Sequence, residues 1–302
     1  NRAMIGIFDS GYGGLPTMRA LVKAMPEFDY VYLGDHARAP YGSRTSEEIY
    51  QFTLQGVEHL FAQGCELVVF ACNTAASNAL RRIQQEILPT KYPTKRVLGV
   101  LVPTVEQITV GRMGSGRESG ISLKKIPDSR PDPIRVIGIL ATEATVRSAA
   151  YTREIQKRRP DIVVIEQACP DLVPLIERGA PTKLIKETAK TYVDQMLAKY
   201  HQLPNYSITN FSVLLGCTHY ELIAPMIAEL LPAGVKLYQQ SGIVVGSLKR
   251  YLELHPTLQS NSKSRIGVGW RAFLTTGDAE AVSKLGSTFF GSPVAFQHIY
   301  FA

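Results

Sequence analysis

The feature that most constrains this chain is the alternation of short apolar runs with amphipathic stretches, which starts at its first residues. MIGIFD, YVYLGD and LVVFAC are runs of strand length. Stretches with helical periodicity follow them at about Leu15 to Ala24, Glu47 to Gln63 and Ala75 to Glu86. The order is βαβαβα, which predicts a parallel sheet covered by helices on both faces, and right-handed crossovers leave few topologies open. A second series starts at VLGVLVP (97–103) and continues through VIGILAT (136–142), IVVIEQACP (162–170) and SVLLGCTHY (212–220). The expected fold class is therefore α/β, with two pseudo-symmetric doubly wound lobes of parallel sheet and an active site in the cleft between them. Near the end, GVKLYQQSGIVVGSLKRYL and WRAFLTTGDAEAVSKLGSTFFG each read as a strand followed by a helix, and both are expected to rejoin the first lobe. That division puts residues 1–99 plus 239–302 in the lobe carrying Cys72, and residues 100–238 in the lobe carrying Cys217. Between Gly111 and Pro133 the chain is polar and rich in Gly, Ser and Pro, which reads as a long loop.

Length and composition agree with this picture. A chain of 302 residues has room for about two domains of roughly 150 residues each. The net charge of +7 comes from basic residues scattered along the chain, so it argues for solubility, or for an anionic small substrate, more than for nucleic acid. No apolar run approaches the ~18 residues of a membrane span, and no basic-then-apolar leader is visible. The expectation is a cytoplasmic protein that requires neither membrane nor nucleic acid. Four cysteines are too few for a disulfide framework in a chain this long, and neither they nor the six histidines show metal-ligand spacing, so no metal is expected. Glycines 11, 13 and 14 in FDSGYGGLP fit neither a P-loop nor a dinucleotide fingerprint. They read instead as a tight strand-to-helix turn approaching a ligand.

An internal resemblance carries the chemistry. VVFACNTAASNAL and VLLGCTHYELIAP each run from an apolar strand into a small residue, a cysteine, polar residues and a helical pattern. In open parallel sheets, ligands bind beyond the carboxyl ends of the strands, which is where this pattern places Cys72 and Cys217. A helix N-terminus nearby favours a thiolate. Cysteine is also among the most buried residue types, and that plainer reading is accepted for Cys65 and Cys169. Two thiols on opposed lobes suit the inversion of a stereocentre, which needs a base on one face and a proton donor on the other.

At these residues the sequence resembles the glutamate racemases of the aspartate/glutamate racemase superfamily. The resemblance runs through FDSGYGG, GDHARAPYG, ACNTA, ATEATVRSAAY, ACPDLVPLIE, GCTHYELI and TTGD, in that order along most of the chain. It implies interconversion of L- and D-glutamate without a cofactor, supply of D-glutamate to peptidoglycan, and a homodimer. It also implies that Cys72 and Cys217 are the acid/base pair, with Asp9 assisting one thiol and Glu177 and His219 the other. Substrate binding on the same resemblance involves Asp9, Ser10, Pro40, Tyr41, Gly42, Asn73, Thr74, Thr142, Thr145, Thr218 and His219 beside the two cysteines. Asp35 is placed either in the mouth of the site or as a turn cap. The chain departs from the family pattern at His36, in the polar stretch from Arg112 to Pro133, and in YQQSGIV, which lacks an acidic residue after its strand. A racemase acting on aspartate or another small acid, and a noncatalytic amino-acid-binding relative, remain the alternatives.

Overall fold

Ten strands, all paired in parallel, form two separate sheets in a computed structural model that describes residues 4–109, 135–204, 210–258 and 269–301. The polar stretch expected as a loop at 111–133 lies outside the described residues. In the first sheet β1 (Met4–Asp9) is flanked by β2 (Asp29–Gly34) and β3 (Leu67–Phe70), and β4 (Arg96–Gly99) extends the β3 side. The register pairs Ile7 with both Tyr32 and Val69. The second sheet is centred on β5 (Val136–Ala141), between β6 (Val163–Ala168) and β7 (Phe211–Leu215), with β8 (Lys236–Tyr238) beyond β7. Two late strands, β9 (Arg271–Thr275) and β10 (Phe296–His298), return to the first sheet beside β2. The order β2-β1-β3-β4 is thus repeated as β6-β5-β7-β8, and the doubling read from the sequence is a doubling of topology.

The helices follow from this order. With right-handed crossovers, α1 (Leu15–Ala24), which leads outward to β2, lies on the opposite face from α2 (Ser46–Ala62) and α3 (Asn73–Arg82), which lead the other way. The packing agrees: α2 lies against α3, while α1 lies against α11 (Ser241–Leu254) and α12 (Ala279–Phe290). A π-helical turn at Ile83–Ile87 and the short α4 (Leu88–Lys91) continue α3. In the second lobe α5 (Leu101–Thr109) packs on α7 (Ala150–Arg158), which follows α6 (Glu143–Ser148). There α9 (Thr182–His201) packs on α8 (Leu172–Glu177) and α10 (Ala224–Leu230). Because helices cover both faces, the central strands β3, β5 and β7 are buried at every residue, which is why they read as unbroken apolar runs. No helix among the described residues is long and apolar enough to cross a membrane.

Local chemistry sets the ends of these elements. At the start of α2 the Thr45 hydroxyl accepts the Glu48 N–H at 3.2 Å while the Glu48 carboxylate accepts the Thr45 N–H at 2.9 Å, a complete capping box. The structure corrects two sequence readings. The strand in GVKLYQQ does not rejoin the first lobe: it is β8, paired with β7 in the second sheet, and only the helix after it, α11, packs on α1. VLGVLVP does not open the second sheet: its first half is β4, paired with β3, and its second half is already α5. A short apolar run does not by itself distinguish strand from buried helix, and Pro103 sits in the first turn of α5, where its missing N–H has no helical partner to lose.

Candidate active site

The carboxyl ends of both sheets open onto one cavity of about 140 Å³. Drug-sized ligand pockets run to ~300–1,000 Å³, so this one suits a small molecule. From the first lobe it is lined by Ser10, the segment Ala39 to Ser43, and Cys72, Asn73 and Thr74. From the second come Thr142, Glu143, Pro170, Val173, Pro174, Glu177, Cys217, Thr218 and His219. Each cysteine follows the third strand of its lobe after a single small residue, Ala71 or Gly216, so the repeated topology places the two sulfurs on the walls of a shared space. Cys65 and Cys169 are also buried free thiols, and neither lines the cavity.

The surroundings of the two sulfurs differ. Cys72 is the N-cap of α3: its Sγ accepts the Ala75 N–H at 3.4 Å and lies 3.4 Å from the Ser10 hydroxyl. The helix therefore starts at Asn73, before the expected Ala75, because the thiol itself takes the capping position. Burial, and then the nearby charge of Asp9, push the Cys72 thiol up to about 12, which favours its protonated form. Cys217 does not cap an α-helix. It precedes a 3₁₀ turn at Thr218–Ile223, and the Nδ1 of His219 lies 3.8 Å from its Sγ. The Nε2 of the same ring donates to Glu177 Oε1 at 2.8 Å. Burial opposes the charged ring, but its hydrogen bonds to Cys217 and Glu177 outweigh that and raise the His219 pKa to about 10. A carboxylate, an imidazolium and a sulfur thus form a line on one wall.

Asp9, at the end of β1, lies behind the cavity surface rather than on it. Its Oδ1 accepts the Gly11 N–H at 2.8 Å, and its other oxygen is buried with no partner among the described residues. Burial raises its pKa to about 6, with the charge of His219 and the Gly11 N–H pulling the other way. Thr145 also stays off the cavity surface: its hydroxyl joins those of Thr142, at 3.1 Å, and Thr74, at 3.4 Å. Thr142 and Thr74 share a hydrogen bond of 2.9 Å across the lobes, and Thr142 also caps α6.

Asp35 is fully buried away from the cavity. It accepts hydrogen bonds from Arg38 Nε at 2.7 Å, from Thr276 Oγ1 at 2.7 Å and from the Tyr41 hydroxyl, so it anchors the loop that carries Tyr41 to the site. His36 is likewise outside the cavity. Its Nδ1 lies 2.9 Å from Thr275 Oγ1 and 3.0 Å from the Gly34 carbonyl, and burial lowers its pKa to about 4. The glycine turn serves the lobe interface: a Cβ at Gly13 would lie 2.2 Å from Thr218 Oγ1 and 2.5 Å from His219 Nδ1. The sequence reading missed Ala39, Ser43, Glu143, Pro170, Val173 and Pro174 on the lining. The two prolines and the valine occur in ACPDLVP, directly after β6, and that strand-end position was the available signal.

No family model matches the chain. It is 41% identical to a glutamate racemase of Phenylobacterium zucineum over 300 residues, which is 97% of this chain and 99% of the relative. Among solved structures it resembles a Bacillus anthracis glutamate racemase isoform with a TM-score of 0.80 and 25% identity, covering 99% of this chain and 97% of that one. It also resembles the Francisella tularensis glutamate racemase, solved in complex with D-glutamate, with a TM-score of 0.79 and 26% identity over 100% of this chain and 98% of that one. The matching fold, the length of the sequence match and a small cavity walled by two thiols agree: the chain belongs to the glutamate racemase family.

Proposed function

We propose that the protein interconverts L- and D-glutamate by a two-base proton transfer between Cys72 and Cys217, without a cofactor. The observation that carries this reading is the pair of sulfurs on opposite lobes of one small cavity, with the charge of Asp9 acting on Cys72 and His219 Nδ1 lying 3.8 Å from Cys217 Sγ. In each direction one cysteine, as thiolate, takes the proton from the α-carbon, and the C–H electron pair passes into a planar carbanion conjugated with the carboxylate. The other cysteine gives its S–H proton to the opposite face. Atoms and charge balance, with the thiolate transferred from one sulfur to the other. Asp9 beside Cys72, and His219 held by Glu177 beside Cys217, return the sulfurs to their starting states between turnovers. The carbanion requires a neutralised carboxylate. Asn73 and Thr74 at the N-terminus of α3, with Ser10, Pro40, Tyr41, Gly42, Thr142 and Thr218, form the binding surface, and Thr145 acts through Thr142.

The same reading divides the chain into lobes of residues 1–99 plus 239–302, and 100–238, and places a homodimer in the cytoplasm supplying D-glutamate to peptidoglycan. Its test is α-deuteration in D₂O, followed by NMR with L-glutamate and L-aspartate in parallel. Exchange on glutamate in the parent, with racemisation abolished by Cys72→Ala and by Cys217→Ala at unchanged melting temperatures, is the expected result. Full racemisation in either variant defeats the two-base mechanism, and exchange on aspartate alone reassigns the substrate.

A further inference from the structure

Beneath Asn73 lies a closed ring of buried hydrogen bonds that the chemistry above does not use. Asn73 Nδ2 donates to Gln240 Oε1 at 2.6 Å, Gln240 Nε2 donates to the Tyr151 hydroxyl at 2.8 Å, and that hydroxyl donates to Asn73 Oδ1 at 2.5 Å. Gln240 Nε2 also donates to Thr104 Oγ1 at 3.0 Å. All four residues are buried, and only Asn73 lines the cavity. Gln240 joins β8 to α11, Thr104 belongs to α5 and Tyr151 to α7, so the ring gathers elements from both lobes behind one cavity residue.

The direction of every bond in the ring follows from one end. The Thr104 hydroxyl spends its proton on the Val100 carbonyl at 2.6 Å, so it can only accept from Gln240. The nitrogen of the Gln240 amide therefore faces Thr104 and Tyr151, and its oxygen faces Asn73. Asn73 must then present nitrogen to Gln240 and oxygen to Tyr151. Counting protons, Gln240 Nε2 uses both of its own, Tyr151 and Thr104 use theirs, and one Asn73 N–H remains. We infer that Gln240, with Tyr151, is a positioning residue that locks the Asn73 carboxamide so that this one remaining N–H is offered to a carboxylate oxygen of the substrate. A carboxylate at position 240 could still accept from Asn73 but could donate to neither Thr104 nor Tyr151, so the ring would not close.

This inference rests on the reading of Asn73 as a substrate-binding residue, and a double-mutant cycle separates the two. Steady-state racemisation is measured for Asn73→Ala, Tyr151→Phe and Gln240→Leu, and for each of the latter two combined with Asn73→Ala, together with melting temperatures. One hydrogen bond to a charged group corresponds to about a tenfold change. The expected result is a KM raised about tenfold in each single variant, kcat changed much less, and no further rise in KM when Tyr151→Phe or Gln240→Leu is added to Asn73→Ala. Tyr151→Phe removes a single hydroxyl and keeps the ring packing, so it decides the matter if Gln240→Leu fails to fold. KM effects that add to that of Asn73→Ala, or a normal KM in Tyr151→Phe while Asn73→Ala binds poorly, overturn the positioning role. A normal KM in Asn73→Ala overturns the binding role of Asn73 itself.

Discussion

At the scale of single residues, the two sulfurs have ionisable neighbours of opposite character, and pH separates them. Asp9 has its pKa raised from 3.8 to about 6, so burial favours its protonated form. The stability this contributes is complete below about pH 3.8 and is lost as pH rises through 6. In the proposed two-base mechanism the sign reverses for activity: the ionised carboxylate is the form that would relieve Cys72 of a proton. In whichever direction Cys72 is the base, kcat/KM should fall as pH drops through about 6, and Asp9→Asn should abolish that acid limb. Profiles measured from both enantiomers test this, and an unchanged limb in Asp9→Asn refutes it. His219, raised from 6.5 to about 10, is stabilising in its charged form. Its contribution is complete below about pH 6.5 and disappears as pH rises through 10. Melting temperatures across that range should decline less steeply in His219→Asn than in the parent, and equal slopes would exclude a buried imidazolium. The cysteines could be singled out from the sequence because strand-end position and polar followers are local properties. The pairing of His219 with Glu177, 42 residues away, could not be derived from spacing, since it depends on how α8 and the segment after β7 meet.

Among the elements, the turn between β1 and α1 shows how a legible motif acquires its reason only in the fold. FDSGYGG reads as a tight turn near a ligand, but the constraint on Gly13 comes from Thr218 and His219 of the other lobe. Gly13→Ala should therefore hold the lobes apart. Displacing reacting groups by about 1 Å costs on the order of 100-fold in rate, so kcat/KM should fall about 100-fold. Overpacking at this seam should cost only about 1–3 kcal/mol of stability. Kinetics with denaturant melts check both, and near-normal activity would mean that the lobes do not approach this closely in the working enzyme. A similar close approach fits α2 to β1, where a Cβ at Gly56 would lie 2.3 Å from the ring of Phe8. Strand and helix periodicity gave the span of α1 residue for residue and that of α2 to within one residue at each end, because both helices are amphipathic over their full length. It failed at VLGVLVP and at the start of α3, where an apolar run changes element midway and a cysteine does the work of a capping serine.

For the molecule as a whole, the seam between lobes is polar and of uneven strength. Thr74 and Thr142 bind each other in the site, while the Arg81–Glu154 ion pair bridges α3 and α7 with Arg81 65% exposed. Glu154 retains Arg158 at 2.6 Å if Arg81 is removed. Arg81→Ala should therefore cost about 1 kcal/mol or less and leave KM unchanged, whereas Thr142→Val should raise KM and cost about 1 kcal/mol through the lost α6 cap. Titration of both variants by thermal melting and initial rates checks the contrast, and a larger effect from Arg81→Ala would place the closing force at the rim. The sequence alone determined the parallel α/β architecture, its doubling, and the delivery of Cys72 and Cys217 to strand ends, because hydrophobic periodicity and connection handedness are short-range and repetitive. Only the tertiary structure decided which residues share the cavity: Asp9 behind it, His219 held by Glu177, and Gln240 beneath Asn73 from 167 positions away. Those contacts arise where two sheets meet, and no local pattern in the chain specifies how they do so.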